Sequence, residues 1–215
     1  MDTTTPDARA RSLREIRDET VSTLASAGVP DPEVDGDLLV GHVLGLSRGA
    51  VQARIVVGAE MSEADAATLA SLVARRALRE PLQHITGRAA FRNLDLQVGP
   101  GVFVPRPETE QVAQLAIDAL SSAAEPEPIA IDLGTGSGAI ALALATEVPH
   151  ARVWAVENSP EAFPWTRRNV VEVGAENLEL VFGDLATALP ELVEGGEVGL
   201  VERPADHDPG LHAAA

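Results

Sequence analysis

The stretch AIDLGTGSGAIALALA, Ala130 to Ala145, sets three glycines within five residues between a short apolar run and a longer one. A run of strand length, a glycine turn and a run of helical length make a strand-turn-helix unit. From Ile129 the chain repeats that alternation: strand IAIDL, helix SGAIALALATEV, strand ARVWAVE, helix SPEAFPWTRRNVVEVG, strand LELVFGD. Alternation of this kind implies right-handed crossovers and a parallel sheet, with ligands bound at the carboxyl ends of the strands.

The region before the sheet reads differently. In ARSLREIRDETVSTLASAG the apolar positions Leu13, Ile16, Val21 and Leu24 recur at helical spacing, and Gly28 supplies a stop. DPEVDGDLLVGHVLGLS and SRGAVQARIVVG predict two shorter helices, the second capped by Ser47. SEADAATLASLVARRALRE has Ser62 as N-cap with Asp65 three residues on, and Leu69, Leu72, Val73 and Leu78 as its stripe. A small helical bundle results. Then RNLDLQVGPGVFVP alternates Leu94, Leu96, Val98, Val102 and Val104 around the turn GPG, which predicts a two-stranded hairpin bridging two domains. PRPETEQVAQLAIDALSSA offers Pro107 as a first helical residue, acidic Glu108 and Glu110 in the first turn, and Val112, Leu115 and Leu120 as the buried face.

Gly134, Gly136 and Gly138 let the backbone turn sharply and approach a ligand, and the helix that follows opens its N–H groups toward it. The spacing Gly134-x-Gly136-x-x-Ala139 also fits a dinucleotide fingerprint, while no Gly-Lys-Ser/Thr follows as a phosphate loop would need. The neighbouring carboxylates narrow the choice. Asp132, just before the turn, suits an ammonium group or a water bound to it. Glu157 ends the second strand about twenty residues beyond the glycines, where a carboxylate takes ribose hydroxyls. Asp184 ends the third strand, where it can accept from an adenine amino group. Each alone also reads as a solvated strand end. Together they favour an adenosine-bearing ligand with a cationic amino-acid arm, S-adenosylmethionine over NAD, whose pyrophosphate is poorly matched to Asp132.

Composition removes other classes. Thirty-three acidic against sixteen basic residues give a net charge of −17, which repels phosphate backbones, so no direct nucleic-acid binding is expected. Arg75, Arg76 and Arg79 read as the solvated face of a helix. Cysteine is absent, which excludes thiol catalysis and suits a reducing cytosol. The five histidines show no metal-ligand spacing, and no metal site is expected. No signal peptide and no apolar run of membrane-spanning length is present, so a cytoplasmic protein without membrane attachment is expected.

REPLQHITGRAAF, GVFVPRPETE, IDLGTGSGAIALALA, AVENSPEA and GDL resemble, in order and spacing, the protein-(glutamine-N(5)) methyltransferases that modify peptide chain release factors. PLQHITG and VPRPETE are specific to that family, whereas the glycine turn is shared by many methyltransferases. The resemblance implies an α/β fold: an N-terminal helical bundle plus a Rossmann-like class I methyltransferase domain using S-adenosylmethionine. It further implies a helical docking domain over 1–86, a hairpin linker over 87–106 and the cofactor domain over 107–215. Carried over, it makes Asp132, Gly134, Thr135, Gly136 and Gly138 the cofactor loop, Glu157 the ribose ligand and Asp184 the adenine contact. More loosely, it places Phe103, Pro105, Arg106, Pro107, Glu108, Thr109 and Glu110 over the pocket. Glu157 stands where an aspartate is commoner in the family, and His84 where a tyrosine is common.

The same resemblance implies an Asn-Pro-Pro-Tyr tetrapeptide after a fourth strand. Its task is physical: an amide nitrogen is a poor nucleophile, and an asparagine side chain with a proline carbonyl orients the substrate NH2 toward the methyl donor. This sequence contains no tyrosine and no Pro-Pro pair, so the motif is absent and no catalytic residue is assigned. Glu197 to Val201 is expected as the fourth strand, followed by Glu202, Arg203, Pro204 and Ala205 where the motif belongs. The parallel sheet is therefore expected to be incomplete, with IAIDL at or next to an edge, and an internal deletion, frameshift or sequencing error is the expected origin.

Overall fold

The computed structural model describes residues 10–184 and Ala186, and the chain divides into two compact units between Thr86 and Gly87. The first unit is helical: α1 (Leu13–Ser26), α2 (Pro32–Leu44), α3 (Arg48–Val56), α4 (Glu63–Ala77) and α5 (Leu82–Thr86). Leu13, Ile16, Leu24, Leu39, Val51 and Leu69 form the centre of its core. On α1 the fourth inward position is taken by Thr20 instead of Val21, because Thr20 lies one turn after Ile16 and one before Leu24. A two-residue bridge, β1 (Arg11–Ser12) against β2 (Glu60–Met61), ties the start of α1 to the start of α4 and has no sequence signal of its own.

The predicted caps are formed. Ser47 accepts from the Ala50 N–H at the head of α3, and Ser62 accepts from the Asp65 N–H at the head of α4. Asp65 completes the second cap differently from a glutamate: too short to reach back to the backbone, its carboxylate takes the Ser62 hydroxyl at 2.7 Å. Leu78, expected on the α4 stripe, is instead the C-cap and is exposed, since the helix ends at Ala77. The unit also buries a charge. Asp37 on α2 accepts from Arg17 Nε at 2.9 Å, Arg48 Nε at 3.2 Å and Gln52 Nε2 at 2.7 Å, joining α1, α2 and α3. Burial pushes its carboxyl up, but these three donors outweigh it and hold it below the usual range.

The second unit contains a hairpin, β3 (Arg88–Phe91) with β4 (Leu94–Gln97), then α6 (Thr109–Ser121) and a three-stranded sheet. The sheet strands are β5 (Ile129–Leu133), β6 (Arg152–Glu157) and β7 (Leu178–Phe182), parallel and in the order β5-β6-β7, joined by α7 (Ala139–Glu147) and α8 (Phe163–Val173). Helix α7 is apolar on nearly every face and is correspondingly buried, packing against β5, β6 and α6. Leu142, Val148, Val153 and Ala155 form the middle of this core, with Phe91 and Leu96 of the hairpin closing one side.

Two expectations are corrected in this unit. The hairpin turns at Arg92–Asn93 and not at GPG: Arg92 adopts φ 53°, and Gly99 to Val102 make a separate turn with no strand after it. Arg92 holds that left-handed conformation because its backbone N–H donates to Glu110 and its guanidinium grips Glu147 at 2.5 and 2.7 Å. Helix α6 begins at Thr109, so Pro107 lies in the turn before it. Its buried residues are Ala113 and Ile117, which face α7, while Val112 and Leu115 are exposed. Among the described residues no strand pairs with the outer edge of β5, and the expected strand Glu197–Val201 lies outside the described residues.

Candidate functional site

The glycine turn is stitched to the end of the neighbouring strand. Gly134 N and Thr135 N both donate to Val156 O on β6, at 2.8 and 3.1 Å, and Gly138 N closes back on Thr135 O at 2.9 Å. All three glycines have positive φ, 74° at Gly134, 61° at Gly136 and 84° at Gly138, a region that side-chain-bearing residues rarely adopt. Space adds a second constraint at Gly138 alone, where a Cβ would meet Thr166 Cγ2 at 3.1 Å and Leu142 Cδ1 at 3.2 Å. At Gly134 a Cβ would meet nothing within 4 Å, so this face of the turn is open.

Two of the three predicted carboxylates converge on that turn. Asp132 Oδ2, at the end of β5, accepts the Thr135 hydroxyl at 2.7 Å and the Ala141 N–H of α7 at 3.2 Å. Glu157, at the end of β6 and buried, accepts Gly136 N at 2.8 Å on one oxygen, and Asn158 N at 3.0 Å and Ser159 N at 2.8 Å on the other. Desolvation pushes the Asp132 carboxyl above the usual range, the Thr135 and Ala141 hydrogen bonds pull it down, and the Glu157 charge adds to the rise. The site is thus two carboxylates beside an open glycine turn, a field that favours a cationic ligand group.

Asp184 is placed less regularly than the sequence suggests. β7 ends at Phe182, where Gly183 N makes the last ladder bond to Glu157 O, and Asp184 follows in the loop, exposed, accepting from Ala186 N at 2.8 Å. The strand stops because β6 ends at Glu157 and offers no further partner. Of the GVFVPRPETE segment, Val102 packs inward while Phe103 is 92% exposed, and Glu110 points to the hairpin, accepting Arg92 N at 3.0 Å.

Two residues that hold the turn escaped the sequence reading. Thr166 Oγ1 donates to Gly136 O at 2.5 Å, and Asn169 Nδ2 donates to Ser137 O at 2.8 Å, both from the inner face of α8. Their signal was present as polar residues, one turn apart, on a face that should be apolar between Ala162 and Val173.

Comparison with known proteins gives two family matches. Residues 15–87 match the PrmC N-terminal domain, and residues 107–198 match a precorrin methyltransferase domain. Among curated relatives, the release factor glutamine methyltransferase of Streptomyces coelicolor is 51% identical over 178 residues, 83% of this chain and 59% of that protein. Its counterpart in Bifidobacterium longum is 42% identical over 88% of this chain and 67% of that protein. That of Mycolicibacterium smegmatis is 41% identical over 92% of this chain and 72% of that protein. The chain therefore spans between 59% and 72% of the length of these relatives.

Proposed function

Since the chain belongs to the release factor glutamine methyltransferase family, as its 41% identity over 72% of the M. smegmatis protein shows, we propose that its second unit holds S-adenosylmethionine at the glycine turn. The observation that carries this is the convergence of Asp132 and Glu157 on Gly134–Gly138. Asp132, beside the open face at Gly134, attracts the ammonium of the amino-acid arm. Glu157, whose three N–H bonds fix its carboxylate, keeps one acceptor site, on Oε2, for a ribose hydroxyl. Asp184, on the loop after β7, takes the adenine amino group. When bound, this cofactor supplies a methyl group on a positively charged sulfur, ready to leave as a neutral thioether.

The acceptor we propose for the family's complete enzyme is the glutamine side-chain amide of the Gly-Gly-Gln loop of peptide chain release factors, methylated in the cytoplasm, with the helical unit of residues 1–86 docking that substrate and 87–106 linking it to the cofactor domain. Orientation of the amide belongs to Asn-Pro-Pro-Tyr, which this sequence does not contain. A second reading is a cofactor-binding or release-factor-binding protein without turnover.

Titration calorimetry with S-adenosylmethionine and, separately, NAD tests the cofactor. Saturable binding of the first with no heat from the second is expected; the reverse result overturns the reading. Mass spectrometry of a release factor incubated with the chain and S-adenosylmethionine, against a full-length relative as control, separates turnover from binding alone.

A further inference from the structure

The turn that forms the proposed cofactor site is made of residues that do not hold their own shape. Glycine populates positive and negative φ about equally, so a run with three of them has many backbone states of similar energy. The conformation seen here is fixed from outside, at successive peptide groups. Glu157 takes the Gly136 N–H on one side. On the other, Thr166 takes the Gly136 carbonyl at 2.5 Å and Asn169 takes the Ser137 carbonyl at 2.8 Å.

Asn169 does more than cap a carbonyl. Its Nδ2 also donates to Gln97 O at 3.0 Å, and its Oδ1 accepts Gln97 N at 2.7 Å, so one buried amide joins the last residue of the hairpin to the turn. The same helix is tied to the hairpin region at two further points: Trp165 Nε1 donates to Pro100 O at 3.1 Å, and Glu172 accepts from Arg88 at 2.7 Å and from Gln97 Nε2. Thr166 and Asn169 are 0% and 1% exposed, which leaves neither within reach of a ligand.

We propose that Thr166 and Asn169 are positioning residues, a clamp on α8 that holds the glycine turn in its ligand-ready form and couples it to the β3–β4 hairpin. The effect on affinity rests on the cofactor reading above. The physical basis is preorganisation: a turn already held in its bound shape does not spend binding free energy on being ordered.

The test uses Thr166→Val, which keeps volume and removes the hydroxyl, and Thr166→Ser, which keeps the hydroxyl. Two quantities are read: affinity for S-adenosylmethionine by calorimetry, and hydrogen exchange of the Gly136 and Ser137 amides in the ligand-free chain. The Val variant is expected to bind roughly three- to tenfold more weakly, the range of one net hydrogen bond, and to exchange faster at both amides. The Ser variant is expected to match the unaltered chain on both counts. A purely structural role lowers the melting temperature without moving affinity, because the chain remains folded at the assay temperature. Equal affinity of the Val variant and the unaltered chain therefore overturns the coupling to ligand. Unchanged amide exchange overturns the clamp itself, and does so whether or not the unaltered chain binds S-adenosylmethionine, which is the separate result on which the cofactor reading stands or falls.

Discussion

Asp132 shows how a proposed binding residue is held at a cost. Its carboxyl is pushed above the usual range by desolvation, and neither of its hydrogen-bond partners is cationic: it accepts one hydroxyl and one N–H. The folded chain therefore holds a proton there more tightly than the unfolded chain does. Stability falls as pH rises from the usual carboxylate value through the raised one, and the cost is complete above the raised value. Asp132→Asn is isosteric and keeps an oxygen for Thr135 and Ala141. We expect it to raise the melting temperature at neutral pH, and to lose that advantage below the usual carboxylate range. The same substitution is expected to weaken S-adenosylmethionine binding at least tenfold, a charge-assisted bond being worth about 1.5–3 kcal/mol. Calorimetry and thermal melts across pH measure both; weakened stability at neutral pH would contradict the desolvation argument.

At the level of elements, the βαβ part was legible because its signals are local. IAIDL, RVWAVE and LELVF are apolar runs of strand length bounded by glycine, proline or charge, and each became a strand. Asp132 and Glu157, at the ends of β5 and β6, followed from counting along the same runs, whereas Asp184 lies in the loop beyond β7. What was not legible depends on partners distant in sequence. The hairpin turn sits on Arg92, a residue with no turn preference, and is held there by Glu110 and Glu147, 18 and 55 positions away. The inward face of α6 is chosen by where α7 lies, and a stripe through Ala113 and Ile117 competes in the sequence with one through Val112 and Leu115. Thr166 and Asn169 stand out as polar residues on an inward face, but their partners are backbone groups 30 to 72 positions away, which the residue pattern does not name. The Arg92 clamp has a pH signature. Its hydrogen bond to Glu147 holds that carboxyl below the usual glutamate range, so its contribution is present above that range and is lost as pH falls through the depressed value. Glu147→Gln is therefore expected to be less stable than the unaltered chain at pH 7, with the gap closing as the buffer is taken toward pH 3; a gap independent of pH would place the effect in packing and not in charge.

For the molecule as a whole, two opposing features meet. Among the described residues β5 lies at a sheet edge, with Ile129 60% and Leu133 39% exposed, and α6 presents Val112 and Leu115 at 56% and 71%. A parallel edge strand with apolar side chains offers unpaired backbone groups and an adhesive surface to another chain. Against this stands a net charge of −17, which makes chains repel one another at neutral pH. Salt decides between them, because screening shortens the reach of that repulsion to about 10 Å at 0.1 M and leaves the apolar contact untouched. Light scattering after size exclusion is thus expected to show self-association increasing with sodium chloride at pH 7.5, and increasing again as pH approaches the isoelectric point near 4.5. Ile129→Lys combined with Leu115→Lys is expected to reduce association at every salt concentration even though it lowers the net negative charge. If repulsion alone governed, that variant would associate more than the unaltered chain, so the sign of the difference identifies which term wins.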